Sequence, residues 1–149
     1  MLRVSKLADY AVVVLDKLAT EIDCVDCAVQ TSPSIAAATG VPEPTVAKVL
    51  KALSVAGLVT SQRGARGGYR AARPLDEISI AEVIASIAGP IALTACVDGG
   101  GCDVRGLCAV HGRWDLVNSA IRDALTAITL ADMRTAGTPA FLRVLMSAE

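Results

Sequence analysis

The sequence predicts a mainly α fold: three helices with a short middle one, a two-stranded β-hairpin, a fourth helix and a long terminal helix. Three observations predict it. Apolar residues recur at steps of three and four through most of the 149 residues, and an Arg- and Gly-rich turn interrupts them near the middle. Aromatic residues make up only 3% of a chain that is 53% hydrophobic, so the core is built mainly from Ala, Val, Leu and Ile.

In the first helix, Leu7, Tyr10, Ala11, Val14, Leu15 and Leu18 share one face, and Ser5 is the expected N-cap. Residues 21–32 are polar, contain Cys24-Val25-Asp26-Cys27 and read as a connecting loop. Ser32 followed by Pro33 is the expected start of the short second helix, and Gly40 its stop. The third helix starts over residues 42–44, carries Val46, Val49, Leu50 and Leu53 at helical spacing and ends at Gly57. Its other face bears Thr45, Lys48 and Lys51, three residues apart. Residues 58–62 then read as a strand, 63–68 as a glycine-rich turn and 69–72 as the returning strand, closed by Pro74.

Ser79 and Glu82 have the spacing of a capping box, and Ile80, Val83, Ile84 and Ile87 give the fourth helix an apolar face that stops at Gly89-Pro90. A loop with Cys96, Cys102 and Cys108 follows. From residue 110 to 133 the helical pattern is interrupted only by Gly112, with Trp114, Val117, Ile121, Leu125 and Ile128 as its main stripe. Unbroken, such a helix would span about 36 Å. Leu116, Ala120, Ala127 and Leu130 are apolar beyond that stripe, so a second face needs cover, which a partner helix in a second subunit would supply. The expected organisation is therefore a unit over residues 1–75, a loop and dimerisation helix over 76–133, and a tail over 134–149. The tail's apolar turn at 141–146 has no assigned role.

Three helices followed by a basic hairpin is the order of a winged helix-turn-helix. The net charge of -1 conceals where the charge lies. Six of the 14 Lys and Arg residues (Lys48, Lys51, Arg63, Arg66, Arg70 and Arg73) fall within residues 44–73, which hold none of the 15 Asp and Glu. A helix that enters a major groove needs an apolar face for its own core and a polar face with long donors, and the third helix has both. Gly64, Gly67 and Gly68 allow close backbone approach in the hairpin, while Arg63, Arg66 and Arg70 reach for phosphates or a minor groove. The expected partner is double-stranded promoter DNA, met by Ser5, Lys6, Thr45, Lys48, Lys51, Arg63, Gly64, Arg66, Gly67 and Tyr69. Taken singly, such cations are more often a solvated face; six together without an anion favour DNA.

Other functions are disfavoured. No run of about 18 apolar residues occurs, and Asp9 and Asp16 interrupt the N-terminal pattern, so neither a membrane span nor a signal peptide is expected. A cytoplasmic protein follows from this reading. No Ser-His-Asp set, paired-carboxylate site or phosphate loop is evident, so neither enzymatic activity nor a small-molecule substrate is expected. In a reducing cytosol, five cysteines are better read as metal ligands or redox groups than as disulfides.

Cys96, Cys102 and Cys108 are separated by five residues each, in a loop softened by Gly99, Gly100 and Gly101, which lets three thiolates converge. Thiolates suit iron-sulfur clusters and zinc alike. His111 would complete a Cys3His set, also a structural zinc arrangement, but zinc-finger cysteine pairs are usually more tightly spaced, which tilts the reading towards a cluster.

The winged helix, the wing Arg63-Gly64-Ala65-Arg66-Gly67-Gly68-Tyr69, the even cysteine triad and the long final helix together resemble the family containing the regulators IscR and NsrR. The stretches Leu2-Arg3-Val4-Ser5-Lys6-Leu7-Ala8-Asp9-Tyr10-Ala11, Gly89-Pro90-Ile91-Ala92-Leu93-Thr94 and Ile128-Thr129-Leu130-Ala131-Asp132-Met133 are most similar to SUF-system iron-sulfur cluster assembly regulators. The resemblance covers residues 1–133. It implies a homodimer, a two-iron two-sulfur (2Fe-2S) cluster on Cys96, Cys102 and Cys108, and control of cluster-assembly genes. Relatives differ in the fourth ligand, and both His111 and an Asp9 supplied by the partner chain match a known scheme. Cys24 and Cys27 depart from the family pattern. Asp23 and Asp26 disfavour thiolate formation there, so the pair reads as passive loop thiols. The rival readings are a thiol redox protein using Cys24 and Cys27, and a zinc-stabilised winged-helix interaction protein.

Overall fold

A computed structural model describes residues 2–19, 29–104 and 106–135. Cys24, Cys27 and the tail beyond residue 135 lie outside the described residues. At the N-terminus the Ser5 hydroxyl accepts the Ala8 N–H at 3.2 Å and opens α1, Lys6–Ala19, which buries Ala8, Ala11, Val14, Leu15 and Leu18. The stripe expected from spacing is thus the buried one, apart from Leu7 and Tyr10, which pack half-buried at its edge.

α2, Ser32–Thr39, is capped by Thr31 and not by Ser32: the Thr31 hydroxyl accepts the Ser34 N–H at 3.3 Å. The upstream threonine brings the same oxygen within reach and leaves Pro33 inside the first turn, where its missing N–H has no helical partner to lose. Gly40 closes this helix in the left-handed conformation. α3, Glu43–Val55, buries Val46, Val49, Leu50 and Leu53, the row that the spacing marked.

β1, Val59–Gln62, pairs antiparallel with β2, Gly68–Ala71, with Val59 opposite Ala71 and Gln62 opposite Gly68. Gln30 extends the pairing through two backbone bonds with Tyr69, at 2.9 and 2.7 Å. Only the hairpin base, Val59 and Ala71, is buried, so the turn projects away from the helices. A 3-10 turn at Leu75–Glu77 leads into α4, Ile80–Ala88, whose Ser79–Glu82 capping box is complete in both directions.

The terminal helical span is where the structure departs from the expected geometry. α5 covers Trp114–Ala127, Ile128 is extended, and α6 restarts at Leu130–Arg134. At the break, the Ile128 carbonyl accepts the Ile80 N–H and the Leu130 N–H donates to the Ile78 carbonyl, both at 2.9 Å. Thr129 and Asp132 form a second capping box that starts α6, and Leu130 enters the core. The continuous rod is therefore replaced by a 14-residue helix of about 21 Å and a short docked turn. Docking wins because it buries Leu130 and pairs the Ile78 carbonyl and the Ile80 N–H, which the start of α4 would otherwise leave to solvent, while the Ile128 carbonyl and Leu130 N–H exchange helical partners for these.

One core joins these parts: Val14, Leu15 and Leu18 of α1, Ile35 of α2, the α3 row, Leu58, Ile78, Val83 and Leu130. An ion pair of Asp16 with Arg134 at 3.2 Å ties α6 to α1. Among the described residues no helix is long and apolar enough to cross a membrane.

Candidate nucleic-acid interface and cysteine loop

On α3, the apolar row is taken up by the core, which leaves Lys48 and Lys51 exposed on the outer face and Thr45 half-buried at its edge. At the wing tip Arg63, Gly64 and Arg66 are exposed, with Gly67 and Tyr69 half-buried behind them. The tip depends on its glycines. Gly64 has φ 116°, and a Cβ on Gly67 would stand 2.5 Å from the Gln62 carbonyl oxygen. Arg70 Nε donates to the Thr60 hydroxyl across the hairpin at 3.3 Å, which stiffens the wing.

Arg73, the last cation of the basic segment, has a structural role. Its guanidinium donates to the Glu77 carbonyl at 3.0 Å and to Glu82 Oε1 at 2.7 Å, tying the end of the wing to the start of α4. The Glu82 carboxyl is held below its ordinary value of 4.5, chiefly by the Ser79 backbone N–H, with Arg73 adding to the effect and partial burial opposing it. Five of the six cations remain for a polyanion.

Ser5 and Lys6 are exposed at the start of α1, with the Lys6 ammonium 5.5 Å from the Tyr10 ring centre. With Arg3, Asp9, Ile80 and Leu125 they line an open groove of about 660 Å³. None of the loop cysteines lines this groove, and Asp9 stands exposed in it.

The cysteine loop joins α4 to α5. Asn118 holds its approach: almost wholly buried at 1% exposure, it accepts the Leu93 N–H at 3.0 Å and donates to the Ile91 carbonyl at 2.9 Å. Cys96, Cys102 and Cys108 are free thiols and half-buried, and His111 is exposed one turn after Cys108. Among the described residues, no three His, Cys, Asp or Glu side chains stand in an arrangement ready to hold a metal ion. The donor chemistry fits a thiolate-ligated centre, with three thiols on one tethered loop. Trp114, Leu116 and Val117 of α5 are exposed beside it.

The family model for Rrf2, described as an iron-dependent transcriptional regulator, matches residues 4–136. The chain belongs to the Rrf2 family. Its winged unit is thus that of a DNA-binding transcription regulator, in keeping with the family resemblance. The HTH-type transcriptional regulator Rv1287 of Mycobacterium tuberculosis (strain ATCC 25618 / H37Rv) is 35% identical over 139 residues, 93% of this chain and 84% of the relative. The regulator IscR of Vibrio parahaemolyticus is 39% identical over 83 residues, 56% of this chain and 49% of that protein. Among solved structures, T. potens IscR superposes with a TM-score of 0.64 at 29% identity, covering 99% of this chain and 89% of that one. CymR, the global cysteine regulator of B. subtilis, superposes with a TM-score of 0.68 at 25% identity, covering 93% and 100%.

The sequence reading missed Asn118 and Asp98 as loop-holding residues. A signal for Asn118 was present: it lies three residues before Ile121 and seven before Leu125, a polar residue on an otherwise apolar stripe.

Proposed function

We propose that this Rrf2-family chain is a homodimeric cytoplasmic regulator without enzymatic activity. It senses iron-sulfur status through a two-iron two-sulfur cluster on Cys96, Cys102 and Cys108 and controls cluster-assembly genes. The observation that carries this reading is the trio of free, half-buried thiols on the loop that joins α4 to α5, beside an exposed apolar helix face. When bound, such a cluster supplies a centre whose presence and oxidation state follow iron and oxidant supply. His111 of the same loop, or Asp9 brought by a second copy, supplies the fourth ligand. Asp9 fits that role because it stands exposed in a groove that the same chain's cysteines do not line.

The residues divide the work. Thr45, Lys48 and Lys51 present donors to base edges and phosphates, Arg63, Arg66 and Arg70 carry the wing to the backbone or minor groove, and Ser5 and Lys6 contact a flanking phosphate. The exposed Trp114, Leu116 and Val117 give α5 a face for a second α5. Ligand binding alters the loop, the loop bears on α5, and α5 sets how the two winged units lie relative to each other. Such a chain transmits a signal only if the cluster is held more tightly in one arrangement than in another.

A second reading, zinc in place of the cluster, draws on His111, whose backbone N–H donates to the Cys108 carbonyl at 3.2 Å and so keeps these two members of a Cys3His set within one turn of each other. Protein purified without oxygen separates the two. Visible absorbance with matching iron and sulfide supports the cluster; colourless protein with stoichiometric zinc overturns it.

A further inference from the structure

α5 carries Asp115, Asn118 and Arg122 at spacings of three and four, and so on one face. All three grip the chain that leads through Cys96. Asn118 holds Ile91 and Leu93, Asp115 Oδ1 accepts the Asp98 N–H at 3.4 Å, and Arg122 Nη2 donates to Asp98 Oδ2 at 2.9 Å. Between these contacts the backbone turns tightly. Asp98 has φ 52° and ψ 34°, and among the described residues it is the one non-glycine with positive φ. A left-handed aspartate costs energy and persists where its surroundings over-determine it. Two residues on, Gly100 packs against the Ala95 carbonyl oxygen with no room for a Cβ.

Cys96 sits within this turn, its Sγ 3.2 Å from the Thr94 hydroxyl, and next to it Val97 is buried. Among the described residues from Cys102 to His111, the backbone bonds are those of local turns, such as Leu107 N–H to the Val104 carbonyl at 3.1 Å, with Val104 and Leu107 exposed. One thiol is fastened to the helix that bears the apolar face. The other two ride on a limb braced by its own turns.

We propose that Asp98 and Arg122, backed by Asp115, are positioning residues that fasten Cys96 to α5, so that the first thiol is in place before Cys102 and Cys108 close on a metal centre. A half-exposed ion pair alone contributes little stability. Here it selects one conformer of a turn that Gly100 makes possible, which is a different task from adding stability. The role assigned to Cys96 rests on the cluster reading. The fastening itself is measurable without any cluster.

The test uses the full-length, reduced, metal-free protein. Iodoacetamide labelling of Cys96, Cys102 and Cys108 is followed separately by peptide mass spectrometry, with circular dichroism as a check on folding. Asp98→Ala and Arg122→Ala are expected to speed labelling of Cys96 about three- to tenfold through more frequent local opening, and to leave Cys102 and Cys108 near the parent rate. Asp98→Gly keeps the left-handed turn without the carboxylate and is expected to match Asp98→Ala. Arg122→Lys should recover part of the protection. Unchanged labelling of Cys96 in both Ala variants overturns the proposal, as does equal acceleration of all three thiols or parent-like protection in Asp98→Gly. In cluster-loaded protein, both Ala variants should release iron to a chelator faster than the parent, and release at the parent rate overturns the placement as serving a metal centre. If the parent takes up no cluster, the cluster reading fails while the labelling result still decides the fastening.

Discussion

Asn118→Ala should destabilise the protein well beyond what loss of one polar side chain on a helix suggests. Its amide is the partner of two backbone groups at the loop entrance, the Leu93 N–H at 3.0 Å and the Ile91 carbonyl at 2.9 Å. An intramolecular hydrogen bond contributes about 1 kcal/mol net, and stranding its buried partner costs about 1–3 kcal/mol. Leu93 and Ile91 are half-buried, so water meets part of the demand and the lower end applies to each. The expected loss is about 2 kcal/mol, measured by urea unfolding at fixed protomer concentration, because a dimer's stability depends on that concentration. For a chain of this size the loss corresponds to a fall in Tm of about 4–8 °C. Amide hydrogen exchange gives the local counterpart, with the Leu93 N–H losing protection in the variant while α3 keeps its own. A change under about 0.5 kcal/mol with Leu93 still protected would refute the reasoning, since that is the scale of an ordinary surface substitution.

DNA affinity should fall steeply with salt. With Arg73 engaged by Glu82, five cations of the basic segment and Lys6 remain per subunit, and twelve in a dimer imply a slope of about -11 in log K against log salt. Arg66→Ala should shorten that slope by about two, because each dimer loses two charges, and a slope near zero would refute the interface. Val117→Glu, on the exposed face of α5, should yield folded monomers by sedimentation at micromolar concentration; an intact dimer would place the interface elsewhere. Because the Glu82 pKa is depressed by folding, its contribution is present above the ordinary value of 4.5 and is lost as pH falls through the lower folded value. Glu82→Gln should therefore lower stability at neutral pH and flatten its loss on acidification, and parallel stability curves for parent and variant would contradict the capping account.

Much of this architecture was legible in the sequence because local chemistry and tertiary packing agree there. The α1 and α3 stripes are the buried rows, Ser5 and the Ser79–Glu82 box open their helices, and the glycines of the wing turn are required by the backbone. The break at Ile128 was hidden because the apolar rhythm runs through it and no Gly or Pro marks it, although Thr129 and Asp132 have capping-box spacing. Tertiary pairing with Ile78 and Ile80, distant in sequence, decides the matter. The thiols were legible as a set from composition and spacing. Their support was not, since Asp98, Asn118 and Arg122 act through contacts 17 to 27 residues apart along the chain. Arg73 counts in the sequence towards the basic segment, and its pairing with Glu82, nine residues on, is set by how the end of the wing meets α4.

In the proposed mechanism, a centre on Cys96, Cys102 and Cys108 changes how the winged units hold DNA. The measurement that tests it most directly is a paired titration of one operator fragment, taken from a cluster-assembly promoter of the source genome, with cluster-loaded and metal-free protein at one salt concentration. Affinities should differ about 5- to 150-fold, a coupling of about 1–3 kcal/mol, and a Cys96, Cys102 and Cys108 triple Ala variant should stay at the metal-free value. Equal affinities for the two forms on every such operator, with cluster loading verified by iron and sulfide content, would contradict it.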